Sequence, residues 1–471
     1  MTNWIISGII LPNMAENKPD KSHKISMEEL TSFAKRRGFI FPSSEIYGGL
    51  AGFWDWGPYG AELAANIKKS WWCRFVYQNP EVVGLDSTII QNPKLWAASG
   101  HVDTFVDPMI DCKSCKHRFR ADHVAEVDTN DLKKLAAALR DKACPNCGKS
   151  GTFTEPRTFG MMFKTYVGPV EDNASISYLR PETAGGIFTS FEQVRETTRA
   201  KLPFGIAQIG KAFRNEITPG DFIFRVREFE QMELEYFVAP DDAPKWYEHW
   251  KSACMDWCEA IGLSKENLRF HDHGPDERAH YAAASVDIQY KYPFGFKELY
   301  GIANRTDYDL QAHAKASGRD LSYFDEASGQ RFTPYVIEPS VGVSRLMLAL
   351  LIDVYDEEEV GGERRVVLRF KPEMAPVKVA VLPLSKKPEL SGLAREVYGK
   401  IAGDYNVEYD ETQSIGRRYR RQDEIGTPYC VTVDFESLED RAVTVRERDS
   451  MKQERIKIDE LKGYLADKLK I

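Results

Sequence analysis

Between Phe204 and Phe237 apolar and polar positions alternate in two runs separated by Thr218-Pro219-Gly220-Asp221. This pattern predicts two strands joined by a turn, since residues two apart share a strand face and Thr-Pro-Gly-Asp is turn chemistry. On the second strand Arg225, Arg227, Phe229, Gln231 and Glu233 are expected on one side. The other side should carry Val226, Met232, Leu234 and Tyr236, interrupted by Glu228 and Glu230. On the first strand Gln208, Arg214 and Glu216 share a side. Two arginines, a ring, an amide and a carboxylate in one row suit a site for something anionic and planar that also carries a small cation. An exposed face of paired charges is the plainer alternative.

Elsewhere the spacing predicts helices over 28–37, Ala61–Tyr77, Leu132–Leu139, Phe191–Lys201 and 241–265, and another after Glu338. The glycine- and aromatic-rich stretch after Arg37 reads as an ordered, turn-rich wall. A strand is expected over Val82–Gln91, ending at Pro93, and the sheet should resume at SYLRPETAGGIF. In 241–265, Trp246, Trp250, Cys254, Trp257 and Cys258 recur at helical spacing and are read as core rather than as ligands. KPEMAP, 371–376, is a linker. Beyond it strands and helices alternate, which predicts an open α/β domain with a largely parallel sheet. The divisions are a tail at 1–26, a main domain at 27–372 with an insertion at 111–180, and a C-terminal domain at 376–471.

At 471 residues, 42% hydrophobic and 28% charged, the chain has the composition of a soluble multidomain protein. No apolar run approaches the roughly 18 residues of a membrane span. The N-terminus lacks a basic leader and a small-residue cleavage site, so a cytoplasmic location is expected. Met1, Met14 and Met27 are alternative starts. A net charge of −8 argues against indiscriminate nucleic-acid binding but leaves room for a local basic surface. Cys112-x-x-Cys115 and Cys144-x-x-Cys147 form two knuckles, the pattern of a closed, structural four-thiolate zinc site.

FRNE, the loop, and Arg225-x-x-x-Phe229 resemble the second signature motif of class II aminoacyl-tRNA synthetases. The longer string RNEITPGDFIFRVREFEQMELEYF resembles the homodimeric glycyl-tRNA synthetase family, and the likeness runs from about Glu28 to the C-terminus. It implies an α+β fold: an antiparallel sheet flanked by helices, the zinc-bearing insertion, and a C-terminal α/β anticodon-binding domain. It also implies ligation of glycine to tRNA(Gly) with ATP and Mg2+, by a homodimer. A class IIa synthetase for another amino acid, or a non-catalytic nucleic-acid-binding relative, are the alternatives. The former would lack the crowd of carboxylates, and the latter would have lost Arg214, Phe229 or Arg345.

Activation joins a carboxylate to the α-phosphate of ATP, so the protein's task is to align two anions and neutralise developing charge. By the resemblance Arg214, Arg345 and Glu216 are catalytic. The ATP site would comprise Arg214, Asn215, Glu216, Phe224, Arg225, Val226, Arg227, Glu228, Phe229, Glu298, Leu299, Gly342, Val343, Ser344 and Arg345, with Phe229 under the adenine. Arg345 falls in the first turn of a helix opening at VGVSRLM, where anions are favoured. Glu298 is the magnesium candidate. Glycine offers no side chain, so its ammonium should meet several carboxylates in a tight pocket. The corresponding residues are Arg120, Glu182, Phe229, Glu230, Gln231, Met232, Glu233, Glu338, Pro339, Ser340, Val341 and Gly342. In the C-terminal domain Arg417, Arg418, Arg420 and Arg421 around Tyr419 suit phosphate contact and base stacking, with a solvated helical face as the alternative.

Overall fold

The computed structural model describes residues 24–127, 129, 131–274 and 282–470; most of the N-terminal tail lies outside them. The first helix, Met27–Arg36, is set by a capping box: Glu29 N–H donates to the Ser26 hydroxyl at 3.2 Å and Ser26 N–H to the Glu29 carboxylate at 3.1 Å. The wall that follows is pinned by two short paired strands, Ile40–Pro42 and Trp54–Trp56.

Seven strands form the main sheet, in the spatial order Leu268–Asp272, Ala284–Tyr292, Gly295–Thr306, Tyr335–Gly342, Glu228–Val238, Phe204–Phe213 and Val82–Gly84. Every neighbouring pair is antiparallel except the last. On one face Met232, Leu234 and Tyr236 are fully buried in the core built with helices Pro58–Trp72, Ala243–Ile261 and Val343–Val354. Trp250, Cys254, Trp257 and Cys258 are part of that core, as their spacing predicts. The opposite face is divided. At one end Phe237 and Phe204 stack with Phe191 of helix Ala184–Thr198; at the other, Phe229, Gln231 and Glu233 line an open cavity.

Several boundaries differ from the pattern. The first strand ends at Phe213 and the second begins at Glu228, so Arg214, Glu216, Arg225 and Arg227 belong to the connection rather than to the strands. Positive φ at Asp221 and Phe222 tightens that connection, and Gly220 and Arg225 pair across it. Arg227 N–H donates at 2.8 Å to Gly52 O. Gly52 has φ +78°, and a Cβ there would lie 2.8 Å from Pro219, so only glycine lets wall and loop approach this closely. The strand foreseen over Val82–Gln91 covers only Val82–Gly84, and Pro93 opens a helix, where its missing N–H costs nothing. The main sheet does not resume at SYLRPETAGGIF: Ile176–Tyr178 pairs with Lys164–Tyr166 instead, and the helix starts at Ala184 rather than Phe191.

The cysteine-bearing segment is a three-stranded sheet of Val106–Asp111, Arg118–Arg120 and Arg157–Gly160 with helix Leu132–Ala138. In the C-terminal domain Val407–Tyr409, Val379–Pro383 and Tyr429–Val433 run parallel. Ala442–Glu447 and Gln453–Lys457 then add antiparallel strands. The last of these was not foreseen, because QERIK carries only one apolar residue.

Candidate active site and metal centre

A cavity of about 340 Å3 opens on the divided face, the size of a small-ligand site. Glu233, 2% exposed, is its most tightly held carboxylate. One oxygen accepts from Thr183 N–H at 2.7 Å, Ala184 N–H at 2.9 Å and the Thr183 hydroxyl. The other accepts from Gln231 Nε2 and Ser340 Oγ, both at 2.8 Å. The register places Glu233 between Gln208 and Ser340, so three strands position one side chain.

Glu338 meets Arg305, whose other edge donates to both oxygens of Asp309 at 2.7 and 2.9 Å. Burial pushes the Glu338 carboxyl up to about 8; Arg305 opposes the push, and Glu233 and Glu182 reinforce it. Burial would also raise Glu182, but His101, with its Nε2 3.3 Å away, together with Arg305 and Arg214 holds that carboxyl down to about 2. Beneath them Glu235 is fully buried with no hydrogen-bond partner for either oxygen among the described residues, and burial followed by Glu338 raises it well above the carboxylate range. The pocket therefore holds carboxylates of different charge side by side, in the manner of sites built to grip a cation.

The anion-facing groups lie at the other end. Arg214 donates from Nε to Pro181 O at 3.0 Å, with its guanidinium 5.6 Å from the Phe105 ring centre and 5.4 Å from that of Phe229. Arg345, in the first turn of Val343–Val354, sits 3.0 Å from Glu298 and 4.5 Å from the Phe224 ring centre. Arg345 in turn holds the Glu298 carboxyl below its usual range. Asp287 faces the same space, paired with His273 at 3.0 Å. Glu216, Arg225, Val226, Leu299, Val341, Gly342 and Ser344 complete this part of the lining.

Eight residues assigned from sequence do not line the cavity. Arg227 donates to the carbonyls of Glu216 and Ala51, which fastens the loop. Glu228 pairs with Lys211 and Glu230 with Lys68, since both project from the far face of the strand. Met232 and Val343 are fully buried in the core. Pro339 falls on the opposite parity from Glu338 and Ser340. Arg120 is paired with Asp107 and Asp122 at 2.8 and 2.6 Å. Asn215 faces a neighbouring groove. Conversely, Arg305, Asp309, His101, Thr183, His273, Asp287 and Gly301 escaped the sequence reading. Arg305 and Asp309 carried a signal, an opposite-charge pair four residues apart. The others become site residues only through tertiary contacts between separate segments.

In the insertion Cys112, Cys115, Cys144 and Cys147 bring their sulfurs within 4.8 Å of one another. Cys112–Cys147 and Cys115–Cys144 separations are 3.8 and 3.7 Å. A tetrahedral Zn–S length of about 2.3 Å requires roughly 3.8 Å between sulfurs, so the donor set fits a closed metal site. The knuckles have matching turns: Lys116 N–H donates to Cys112 O and Gly148 N–H to Cys144 O, each at 2.8 Å and with positive φ.

In the C-terminal domain the arginine cluster divides. Arg418 is 1% exposed and donates to the carbonyls of Pro383, Asp410 and Leu384. Tyr419 bonds Thr432 through its hydroxyl, and Arg421 holds Asp410 and Thr412. Of the four arginines only Arg417 is classed as exposed.

A sheet of this order, with one arginine from the connection between two strands and another from a helix start, defines a class II aminoacyl-tRNA synthetase. The family model described as "tRNA synthetase class II core domain (G, H, P, S and T)" matches residues 163–355, and "Anticodon binding domain" matches residues 378–468. Prolyl-tRNA synthetase from Cryptosporidium parvum, solved with halofuginone and AMPPNP, shares the fold with a TM-score of 0.63 at 14% identity, over 96% of this chain and 79% of that one. Glycine–tRNA ligase of Acetivibrio thermocellus is 57% identical over 459 residues, 94% of this chain and 99% of that protein. Those of Caldanaerobacter subterraneus subsp. tengcongensis and Streptomyces coelicolor are each 55% identical, over 95% and 94% of this chain and 99% and 98% of theirs. The chain belongs to the glycine–tRNA ligase family.

Proposed function

We propose that this chain activates glycine with ATP and transfers it to the 3′ end of tRNA(Gly). The observation that carries the glycine assignment is the convergence of Glu182, Glu233 and Glu338 at one end of a cavity whose other end presents Arg214 and Arg345. A glycine ammonium would lie among the three carboxylates, which directs its carboxylate toward Arg214. A larger amino acid would be excluded by overlap with the Glu182, Glu233 and Glu338 end of the cavity rather than by the about 1–3 kcal/mol that separates one methylene from two in an apolar pocket.

In the first step a glycine carboxylate oxygen attacks the α-phosphorus; the bond to the β-phosphate oxygen breaks and pyrophosphate leaves. Arg214 would span the α-phosphate and the incoming carboxylate. Phe229 would lie under the adenine, Arg225 and Arg345 would meet the outer phosphates, and Glu216 would border the reacting groups. Planar guanidinium forks suit this role because they hold phosphate oxygens in pairs. Glu298 and Asp287 offer the hard oxygen donors that fit Mg2+, which supplies charge neutralisation on the triphosphate when bound. In the second step a terminal ribose hydroxyl attacks the glycyl carbonyl, loses its proton, and AMP departs.

The four-cysteine cluster fits a structural Zn2+, and the C-terminal domain would meet the tRNA. The homodimer that the family resemblance implies and a cytoplasmic location belong to the same reading; no described helix is long and apolar enough to cross a membrane. Exchange of labelled pyrophosphate into ATP, run with glycine, alanine, serine, threonine and proline in parallel, tests it. Exchange with glycine alone is expected, and equal exchange with threonine or proline would overturn the assignment.

A further inference from the structure

Helix Ile415–Ile425, which carries the arginine cluster of the C-terminal domain, is shared between two cores. Ile415 and Tyr419 pack with Ala380, Leu382 and Cys430 of their own domain, whereas Ile425 belongs to the apolar core of the main domain. Gly426, which ends the helix with φ +81°, makes the approach possible. A Cβ there would lie 2.5 Å from Phe370 and 2.8 Å from the Leu368 carbonyl.

Charge fastens the same contact. Strand Glu363–Leu368 forms a hairpin with Tyr355–Val360, and Tyr355, Leu368 and Phe370 root it in the main core. From this hairpin Arg365, fully buried, donates to Asp423 at 2.8 Å, to Glu358 and to the Arg448 carbonyl. Asp423, equally buried, also accepts two bonds from Arg446 of its own domain, at 2.9 and 3.2 Å. At the rim Arg37 of the first helix meets Glu424 at 2.7 Å. The linker adds no slack: Met374, Ala375 and Val377 lie in the main core, and the Lys378 ammonium donates to the carbonyls of Pro372, Glu373 and Ala375. Sliding one domain over the other would leave buried charges without their partners, which is costly.

We infer that this helix is a fixed brace between the domains and that Arg365 is a positioning residue for transfer to tRNA, acting through Asp423. The inference rests on the reading above, in which the C-terminal domain meets the tRNA. An RNA held at that domain reaches the reaction cavity as a tethered group, and its effective concentration there depends on the stiffness of the connection. A stiff junction delivers the 3′ end at one distance. A loose one spreads it, and a misplacement of about 1 Å can cost about 10²-fold in rate.

Two variants of the full-length protein loosen the junction by different means. Arg365→Met removes the donor that crosses the boundary and leaves the Asp423–Arg446 pair inside the C-terminal domain. Gly426→Ala wedges the helix end away from Phe370. For each, glycine-dependent pyrophosphate exchange and affinity for an isolated anticodon stem-loop of tRNA(Gly) are measured beside single-turnover charging of the full tRNA. Expected is charging slowed at least about tenfold, with exchange and stem-loop affinity within about twofold of the parent. Charging at the parent rate in either variant overturns the inference. So does exchange or stem-loop affinity falling as far as charging, since Arg365 would then serve folding alone. A parent protein that charges glycine but fails to bind the stem-loop would overturn the RNA-contact reading of the C-terminal domain, and this inference with it.

Discussion

Arg305, next to last in strand Gly295–Thr306, faces Asp309 in the helix Tyr308–Ser317 that follows, each no more than 2% exposed, and the two-bond clamp between them aims the remaining guanidinium nitrogen at Glu338. A buried pair of this kind positions a third group. Losing one partner of such a pair costs about 3–5 kcal/mol. Asp309→Asn, which preserves volume, is expected to lower the melting temperature and raise KM for glycine more than it lowers kcat. Thermal unfolding and exchange kinetics across glycine concentrations measure both, and unchanged values in each would show that the clamp is idle.

With glycine placed as proposed, beside a Glu338 carboxyl that burial raises to about 8, its binding should be proton-linked. Below pH 8 the free pocket holds a proton that an ammonium must displace, so KM for glycine should rise as pH falls from 8 to 6. The sign for folding follows from the same shift. The group favours the folded state fully below its unfolded value of about 4.3, and that contribution is lost as pH rises through 8. Glu338→Gln should flatten the KM profile over this range; a profile of the same slope in the variant would refute the linkage.

Arg345→Lys retains the charge but replaces a planar fork with a point charge. A loss of about 10²-fold in the kcat of pyrophosphate exchange is expected, the scale of removing one preorganised donor. Full activity would place the triphosphate elsewhere.

Cys115→Ser should abolish bound zinc, measured by elemental analysis against one equivalent in the parent protein. It should also expose 111–160 to proteolysis, because a closed thiolate site contributes folding energy. Resistance to protease in a zinc-free variant would mean that the insertion folds without metal.

Arg418→Ala leaves the buried Pro383 carbonyl without its guanidinium donor, at about 1–3 kcal/mol for an unsatisfied group, and also removes the bonds to the Asp410 and Leu384 carbonyls. Its melting temperature should fall, whereas exposed Arg417→Ala should leave stability unchanged and weaken tRNA binding. The reverse pattern, read by calorimetry and filter binding, would restore the whole cluster as an RNA-facing surface.

How far the candidate site was legible varies by residue. Glu233, Gln231 and Phe229 keep a strict two-residue alternation inside a regular strand, so their shared face could be read directly. Glu228, Glu230 and Met232 lie on the same strand and were assigned to the site by resemblance, although parity alone placed them on the opposite face. Arg227 does not follow this pattern because the strand begins only at Glu228, and in the connection before it the two-residue alternation does not hold.

By itself the sequence determined what depends on neighbours along the chain: helices with capped ends, alternating strands, the paired cysteine knuckles, and the arginine–aromatic motif that names the superfamily. Only the tertiary structure decided which charges meet. Glu182, Glu233 and Glu338 come from three separate segments, and Arg305 and His101 enter the site from two more. The ionisation of Glu182, held down to about 2, and of Glu338, pushed up to about 8, follows from burial and from distances to charged groups on other segments. Local pattern carries neither quantity, because desolvation and Coulomb energy are set by what packs around a group in space.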